Sequence, residues 1–163
     1  MIKTLCIFDF DETLFRSPQK PKEFKGNWKI SKESLSEPYV PEIPSDFYWN
    51  LNVLDDARFC LQQENNYCML LTGRVNNIFN ERVHQLIKQK QLNFKEIHLN
   101  NFGEDTVEFK IEKINNTLRR NKDIKKIKFW DDKKEYLEKF FEEFKDTYEV
   151  SSVLVSGTKI KFK

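Results

Sequence analysis

The chain alternates between short, densely apolar runs and longer stretches whose apolar residues recur at helical spacing. Lys3 to Phe8 is β-branched and aromatic and stops abruptly at Asp9, the pattern of a strand buried on both faces of a parallel sheet. Asn66 to Leu71 repeats that pattern and ends at Thr72; shorter runs follow at Glu96–Leu99 and at Lys125–Trp130, the last ending at Asp131. Between the runs, Asn50–Glu64, Asn76–Gln89, Asp105–Asn121 and Lys133–Lys145 carry the apolar period of amphipathic helices. Two further short strands, VSSVLV and KIKF, are predicted on either side of Ser156-Gly157. Only Ser17 to Pro44 breaks the rhythm. It holds the chain's prolines and several lysines and serines, and predicts an irregular excursion with at most short strands, an insert or lid over 17–48.

Strand and helix in alternation predict an α/β fold: a three-layer sandwich around a central, mainly parallel, Rossmann-like sheet, with ligands beyond the carboxyl ends of the strands. Asp9, Thr72 and Asp131 each follow or close such a strand, so the fold itself would bring them together. At 163 residues the chain is expected to form one domain over 1–163, with room for a minimal cap and none for a bulky helical one.

Composition narrows the picture. With 39% hydrophobic residues and 15 Phe, the chain can bury a core and is not a disordered segment. Its 28 basic and 26 acidic residues give no overall attraction to polyanions, so such attraction must come from local clusters. One candidate is the insert, where Lys20, Lys22, Lys25 and Lys29 could meet a phosphate backbone. Trp28, Tyr39, Phe47, Tyr48 and Trp49 could either stack a base or pack the loop onto the domain. A second cluster, Arg119, Arg120, Lys122, Lys125, Lys126 and Lys128, reads as a solvated face. Cys6, Cys60 and Cys68 are odd in number and form no CxxC pair, which fits reduced core thiols and a cytoplasmic setting. The N-terminal apolar run is too short for a membrane span and is interrupted by carboxylates, so an intracellular protein with no membrane partner is expected. His84 and His98 lack metal-ligand spacing.

Chemistry concentrates at the strand ends. Asp9 and Asp11 lie two residues apart just beyond a buried strand, an arrangement that costs stability unless a cation holds it. An oxygen-rich set of carboxylates suits Mg²⁺, and Asp131 and Asp132 repeat the arrangement after another strand. The segment Phe8-Asp9-Phe10-Asp11-Glu12-Thr13-Leu14 resembles the first motif, DxDxT, of the haloacid dehalogenase (HAD) superfamily of phosphatases and phosphotransferases. That resemblance implies that Asp9 is a nucleophile toward phosphate. It implies that Asp11 supplies a backbone carbonyl to Mg²⁺ and acts as general acid and base. Thr72 would hydrogen-bond a phosphoryl oxygen, Lys110, with Lys113 as the fallback, would balance the developing charge, and Asp131 and Asp132 would complete the metal site. Gly73 and Arg74 of LLTGR, and Arg16 of LFR, are the matching substrate-binding candidates.

Within that superfamily the sequence is similar to the small HAD-type domain of "Swiss army knife" RNA-repair proteins. The similarity rests on Phe8 to Arg16 with Pro18, Trp49-Asn50, Leu70 to Arg74, Phe109-Lys110 and Trp130 to Asp132. It implies a Mg²⁺-dependent phosphomonoesterase that works through an aspartyl-phosphate and removes terminal phosphate from RNA or DNA ends, or from a nucleotide. A phosphatase of phosphoproteins or small phosphorylated metabolites would use the same site, and a nucleic-acid-binding module on a degenerate scaffold is the non-enzymatic alternative.

Overall fold

The structure, a computed structural model, describes residues 3–161. Its regular elements are β1 (Lys3–Phe8), α1 (Leu51–Gln62), β2 (Asn66–Val75), α2 (Asn76–Gln89), β3 (Glu96–Asn100), α3 (Thr106–Arg120), β4 (Ile124–Asp131), α4 (Lys134–Phe144) and β5 (Glu149–Leu154). The five strands form one sheet, ordered β3-β2-β1-β4-β5, in which every neighbouring pair is parallel. The expected α/β sandwich is therefore the observed fold.

The apolar runs are continuous because both faces of the sheet are covered. On one face Cys6 and Phe8 of β1, Cys68 and Leu70 of β2 and Trp130 of β4 meet α1 and α2. On the other, Leu5, Ile7, Met69, Leu71, Ile127 and Phe129 meet α3 and α4. Alternate residues of each central strand thus enter opposite cores, which fixes the register, since a one-residue slip would exchange the two sets. The rings of Phe8 and Trp130 stack with centroids 4.1 Å apart where β1 and β4 end, which aligns the residues that follow them. The chain leaves β1 toward β2 on one side and returns to β4 on the other, so the crevice for ligands opens above β1 and β4.

The insert is irregular, as expected, with 3₁₀ turns at Trp28–Ile30, Lys32–Leu35 and Asp46–Tyr48 and no strand of its own. Its aromatic residues serve mainly as packing. Trp28 is 9% exposed, donates its indole N–H to Pro18 O at 3.0 Å and meets Phe24 and Tyr39 edge-on. Arg82 of α2 fastens the insert by donating to the carbonyls of Leu35, Pro41 and Glu42 at 2.8, 2.8 and 3.0 Å. Phe47 stays open to solvent under the Arg16 guanidinium.

One expected element does not form. KIKF is not a strand over its described residues: Ile160 makes a single bridge with Pro18, through Gln19 N to Ile160 O at 2.7 Å and Ile160 N to Ser17 O at 3.0 Å. Phe162, which ends that run, lies outside the described residues. After Val155 the chain leaves the sheet, and Ile160 pairs with the irregular insert instead of with β5. Cys6, Cys60 and Cys68 are free and buried. No helix among the described residues is long and apolar enough to cross a membrane.

At the start of β3 Glu96 accepts from Tyr67 Oη at 2.6 Å, Thr117 Oγ1 at 2.8 Å and Arg120 Nη2 at 3.1 Å, and pairs with His98 at 2.7 Å. Burial alone would raise its pKa, but these partners bring it from 4.5 down to about 2. A carboxyl with a depressed folded-state pKa stabilises above its unfolded pKa, and that contribution fades as pH falls toward the folded value. Wild-type protein should therefore lose stability to urea between pH 4.5 and about 2 more steeply than Glu96→Gln. Parallel losses in the two proteins would show that Glu96 does not supply the linkage.

Candidate active site

Asp9 is the first residue beyond β1, and its backbone N–H still donates to Trp130 O of β4 at 3.0 Å. Asp131 ends β4, so the parallel pairing of the two strands sets both carboxylates side by side above the sheet. Lys110 reaches them from α3, whose first turn is fixed by the Asp105 side chain accepting from Glu108 N at 3.0 Å. Lys110 is 2% exposed, and its ammonium lies 3.1 Å from Asp9 Oδ1 and 3.3 Å from Asp131 Oδ2. Burial would lower the pKa of Lys110, but the two carboxylates raise it, so it stays charged.

Asp9, Asp131 and Asp132 offer oxygens within 4.8 Å of one another. A single ammonium cannot neutralise that many carboxylates. Burial, opposed by Lys110 and reinforced by Asp131 and Asp132, pushes Asp9 well above the usual carboxylate range, and burial raises Asp132 as well. Oδ1 of Asp132 is buried and has no hydrogen-bond partner among the described residues. A buried orphan oxygen beside two other carboxylates makes a donor set that could hold a cation, and three hard oxygen ligands fit Mg²⁺. Asp131 is also fixed by the backbone, since its Oδ1 accepts from Lys133 N at 3.0 Å.

Asp11 faces the same cavity but stands apart from that cluster. Arg74 grips it as a fork, with Nε 2.8 Å from Oδ2 and Nη2 2.7 Å from Oδ1, while Ser17 Oγ donates to Oδ1. Burial would raise the Asp11 pKa; Arg74 and Ser17 reverse this and hold it below the usual carboxylate value. The third nitrogen of Arg74 donates to Ser34 Oγ of the insert at 2.7 Å. Arg74 thus joins the β2 end, the first-motif loop and the insert, and its donors are engaged by protein groups. Thr72 is 1% exposed and its hydroxyl accepts from Arg74 N at 3.1 Å, within an irregular stretch of β2 between Thr72 and Val75. That irregularity turns Gly73 and Arg74 into the cavity, and a Cβ on Gly73 would come within 3.0 Å of the Thr106 side chain at the start of α3.

The cavity, about 290 Å³, is lined by Asp9, Asp11, Gly73, Arg74, Lys110 and Asp132 among the residues expected from sequence. Thr72 and Asp131, both buried, are not among them, and neither is Arg16. It donates to Phe47 O at 2.9 Å and lines a separate hollow of about 260 Å³ with Glu12 and Trp49. Residues to which the sequence assigned no part in the chemistry also enter the site, among them the Thr of DxDxT. Thr13 donates to Asp9 Oδ2 at 3.4 Å, and the Glu12 backbone adopts a left-handed φ of 58° that turns the loop. Lys29, Lys133, Tyr136 and Lys159 line the cavity as well. The basic cluster of Arg119 to Lys128 lies at the opposite end of the sheet, where α3 ends and β4 begins.

Residues 12–161 match the profile of a family described as HAD domain family 1 in Swiss Army Knife RNA repair proteins. The chain belongs to that family. Membership supports a phosphatase-like role for this HAD domain, since HAD domains generally use Mg²⁺ and the three carboxylates form a fitting acidic cluster. Among solved structures, the HAD domain is similar to a chain in the structure of the Pnkp1/Rnl/Hen1 RNA repair complex, with a TM-score of 0.55 and 17% identity. The match covers 94% of this chain and 43% of that one, and at this identity the likeness establishes the fold. No curated protein matches the sequence.

Mg²⁺ in a hundredfold excess over its dissociation constant should raise the melting temperature of the wild-type HAD domain by about 5–10 °C. Asp132→Asn should show a much smaller rise in the same differential scanning assay. An equal rise in both proteins would remove Asp132 from the metal site.

Proposed function

We propose that this HAD domain is a Mg²⁺-dependent phosphomonoesterase in which Asp9 attacks phosphorus and is transiently phosphorylated. The observation that carries this reading is the Asp9 carboxylate, held on Oδ1 by a buried lysine beside a carboxylate cluster with an unpartnered buried oxygen. Burial raises the Asp9 pKa while Lys110 opposes it, so Asp9 attacks as the anion only once Lys110 and a bound cation together offset that burial. The attack runs through Oδ2, which Lys110 leaves to the long Thr13 contact alone. The P–Oδ2 bond forms as the bond to the leaving oxygen breaks.

Asp9, Asp131 and Asp132 would hold Mg²⁺, assisted by the carbonyl of Asp11, and the bound ion would neutralise charge on the transferring phosphoryl group. Lys110, itself buried, adds a fixed positive charge at the floor of the cavity, where it acts more strongly than at the surface. Asp11 is the general acid and base of the proposal. It protonates the leaving oxygen, then takes a proton from the water that hydrolyses the aspartyl-phosphate. Because Arg74 and Ser17 hold Asp11 ionised, its acid role requires those bonds to loosen when substrate enters, so that Asp11 takes up a proton from solvent before passing it to the leaving oxygen. Arg74 is accordingly a positioning residue for Asp11, while Gly73 gives the phosphoryl group close access to backbone. Thr72 shapes that turn from beneath.

The substrate reading, a terminal phosphate on a nucleic acid or nucleotide, is supported by the family description and by the absence of a bulky cap over the cavity among the described residues. Asp9→Asn should lower kcat on a phosphomonoester by about 10³-fold or more, with an unchanged circular dichroism spectrum. EDTA should abolish wild-type turnover, and Mg²⁺ should restore it. Full activity in Asp9→Asn, or in EDTA, would overturn the assignment.

A further inference from the structure

The cavity is lined by cationic side chains that fall into two groups. Lys110 and Arg74 are engaged by Asp9, Asp131 and Asp11. Lys29, Lys133 and Lys159 are exposed at the mouth. Lys133 leans on the Tyr136 ring, 5.0 Å from its centroid. Lys29 and Lys159 form no ion pair or side-chain hydrogen bond among the described residues. They come from distant chain segments, the first 3₁₀ turn of the insert and the stretch following β5.

The second segment is built to bring Lys159 there. After Val155 it crosses the first-motif loop as a strap, with Arg16 Nε donating to Thr158 O and with the paired bonds between Ile160 and residues 17 and 19. At the crossing, a Cβ on Gly157 would lie 1.8 Å from Glu12 O, so only glycine allows the strap to lie this close. Lys159 consequently acts electrostatically on Asp11 and Glu12 from the rim. Buried cations serve the phosphoryl group being transferred. Exposed cations at the mouth can reach only what extends outward from it, the leaving group.

We propose that Lys29 and Lys159 form a clamp for a second anionic group on the substrate, the phosphodiester adjacent to the terminal phosphate of an oligonucleotide. The proposal rests on the phosphomonoesterase reading and adds to it which part of the substrate the strap and the insert recognise. Charge–charge contact with a phosphodiester at an exposed rim is strengthened at low salt and screened at high salt. Lys29 and Lys159 therefore set preference for a polymer end over a small phosphate ester.

The test compares wild type, Lys29→Gln, Lys159→Gln and the double variant on a 3′-phosphorylated and a 5′-phosphorylated decanucleotide, on RNA and DNA, and on p-nitrophenyl phosphate. KM for the preferred oligonucleotide should rise about fivefold in each single variant and more in the double variant, a larger increase than on the small ester. In the Asp9→Asn background, fluorescence anisotropy should show weaker oligonucleotide binding, with the slope of log Kd against log salt reduced by about one per lysine removed. An unchanged slope and unchanged KM would overturn the clamp, as would equal losses on oligonucleotide and small ester. A phosphopeptide bound as tightly and with the same lysine dependence would also overturn it. If no phosphomonoester is hydrolysed by wild type, the catalytic reading fails while the anisotropy result still decides the clamp.

Discussion

The buried ammonium of Lys110, 3.1 Å from Asp9 and 3.3 Å from Asp131, holds the carboxyl ends of β1 and β4 together above the sheet. Two carboxylates at the ends of neighbouring central strands, with Asp132 beside them, repel one another where burial weakens the screening by water. Removing charges from water carries a penalty of several kcal/mol per ion, which their mutual attraction offsets only with good geometry and full hydrogen bonding. Lys110 meets that condition for Asp9 and Asp131 and leaves Asp132 Oδ1 without a partner. The site is therefore locally frustrated, and the two apolar cores that cover the sheet supply the stability that holds it in place. A divalent cation is the simplest group that would relieve the frustration.

Asp11 shows how one short motif divides into two electrostatic roles. Asp9 sits in the carboxylate cluster with one ammonium, whereas Asp11, two residues later, is gripped by a guanidinium and a serine. Their environments push the two pKa values in opposite directions. Separating two carboxylates in this way is how a single pocket obtains groups with different acid–base behaviour. The left-handed turn at Glu12 and the close passage of Gly157 hold the loop that makes the separation possible.

Much of this architecture is legible in the sequence, because the strands are buried on both faces and therefore appear as uninterrupted apolar runs ending in acids. Asp9 and Asp131 can be placed together from that pattern alone, since parallel strands deliver their carboxyl ends to one edge. Less is legible where a side chain's partner is distant. Arg74 looks like a free phosphate ligand in LLTGR, yet its partner Asp11 lies 63 positions away and occupies its fork. Arg16 sits in the first motif but is drawn to the carbonyls of Phe47 and Thr158. KIKF has the alternation of a strand, but Ile160 pairs with the insert, and nothing local in the sequence announces that. Lys159 is one lysine among many until the strap places it at the mouth.

Phosphorylation of Asp9 during turnover can be trapped by a rapid acid quench. Enzyme mixed with a substrate labelled in its phosphoryl group and quenched within a turnover should carry acid-stable, hydroxylamine-labile label, and peptide mapping should locate it on Asp9. Turnover with no label on protein, or with label on a residue other than Asp9, would rule out Asp9 as the nucleophile.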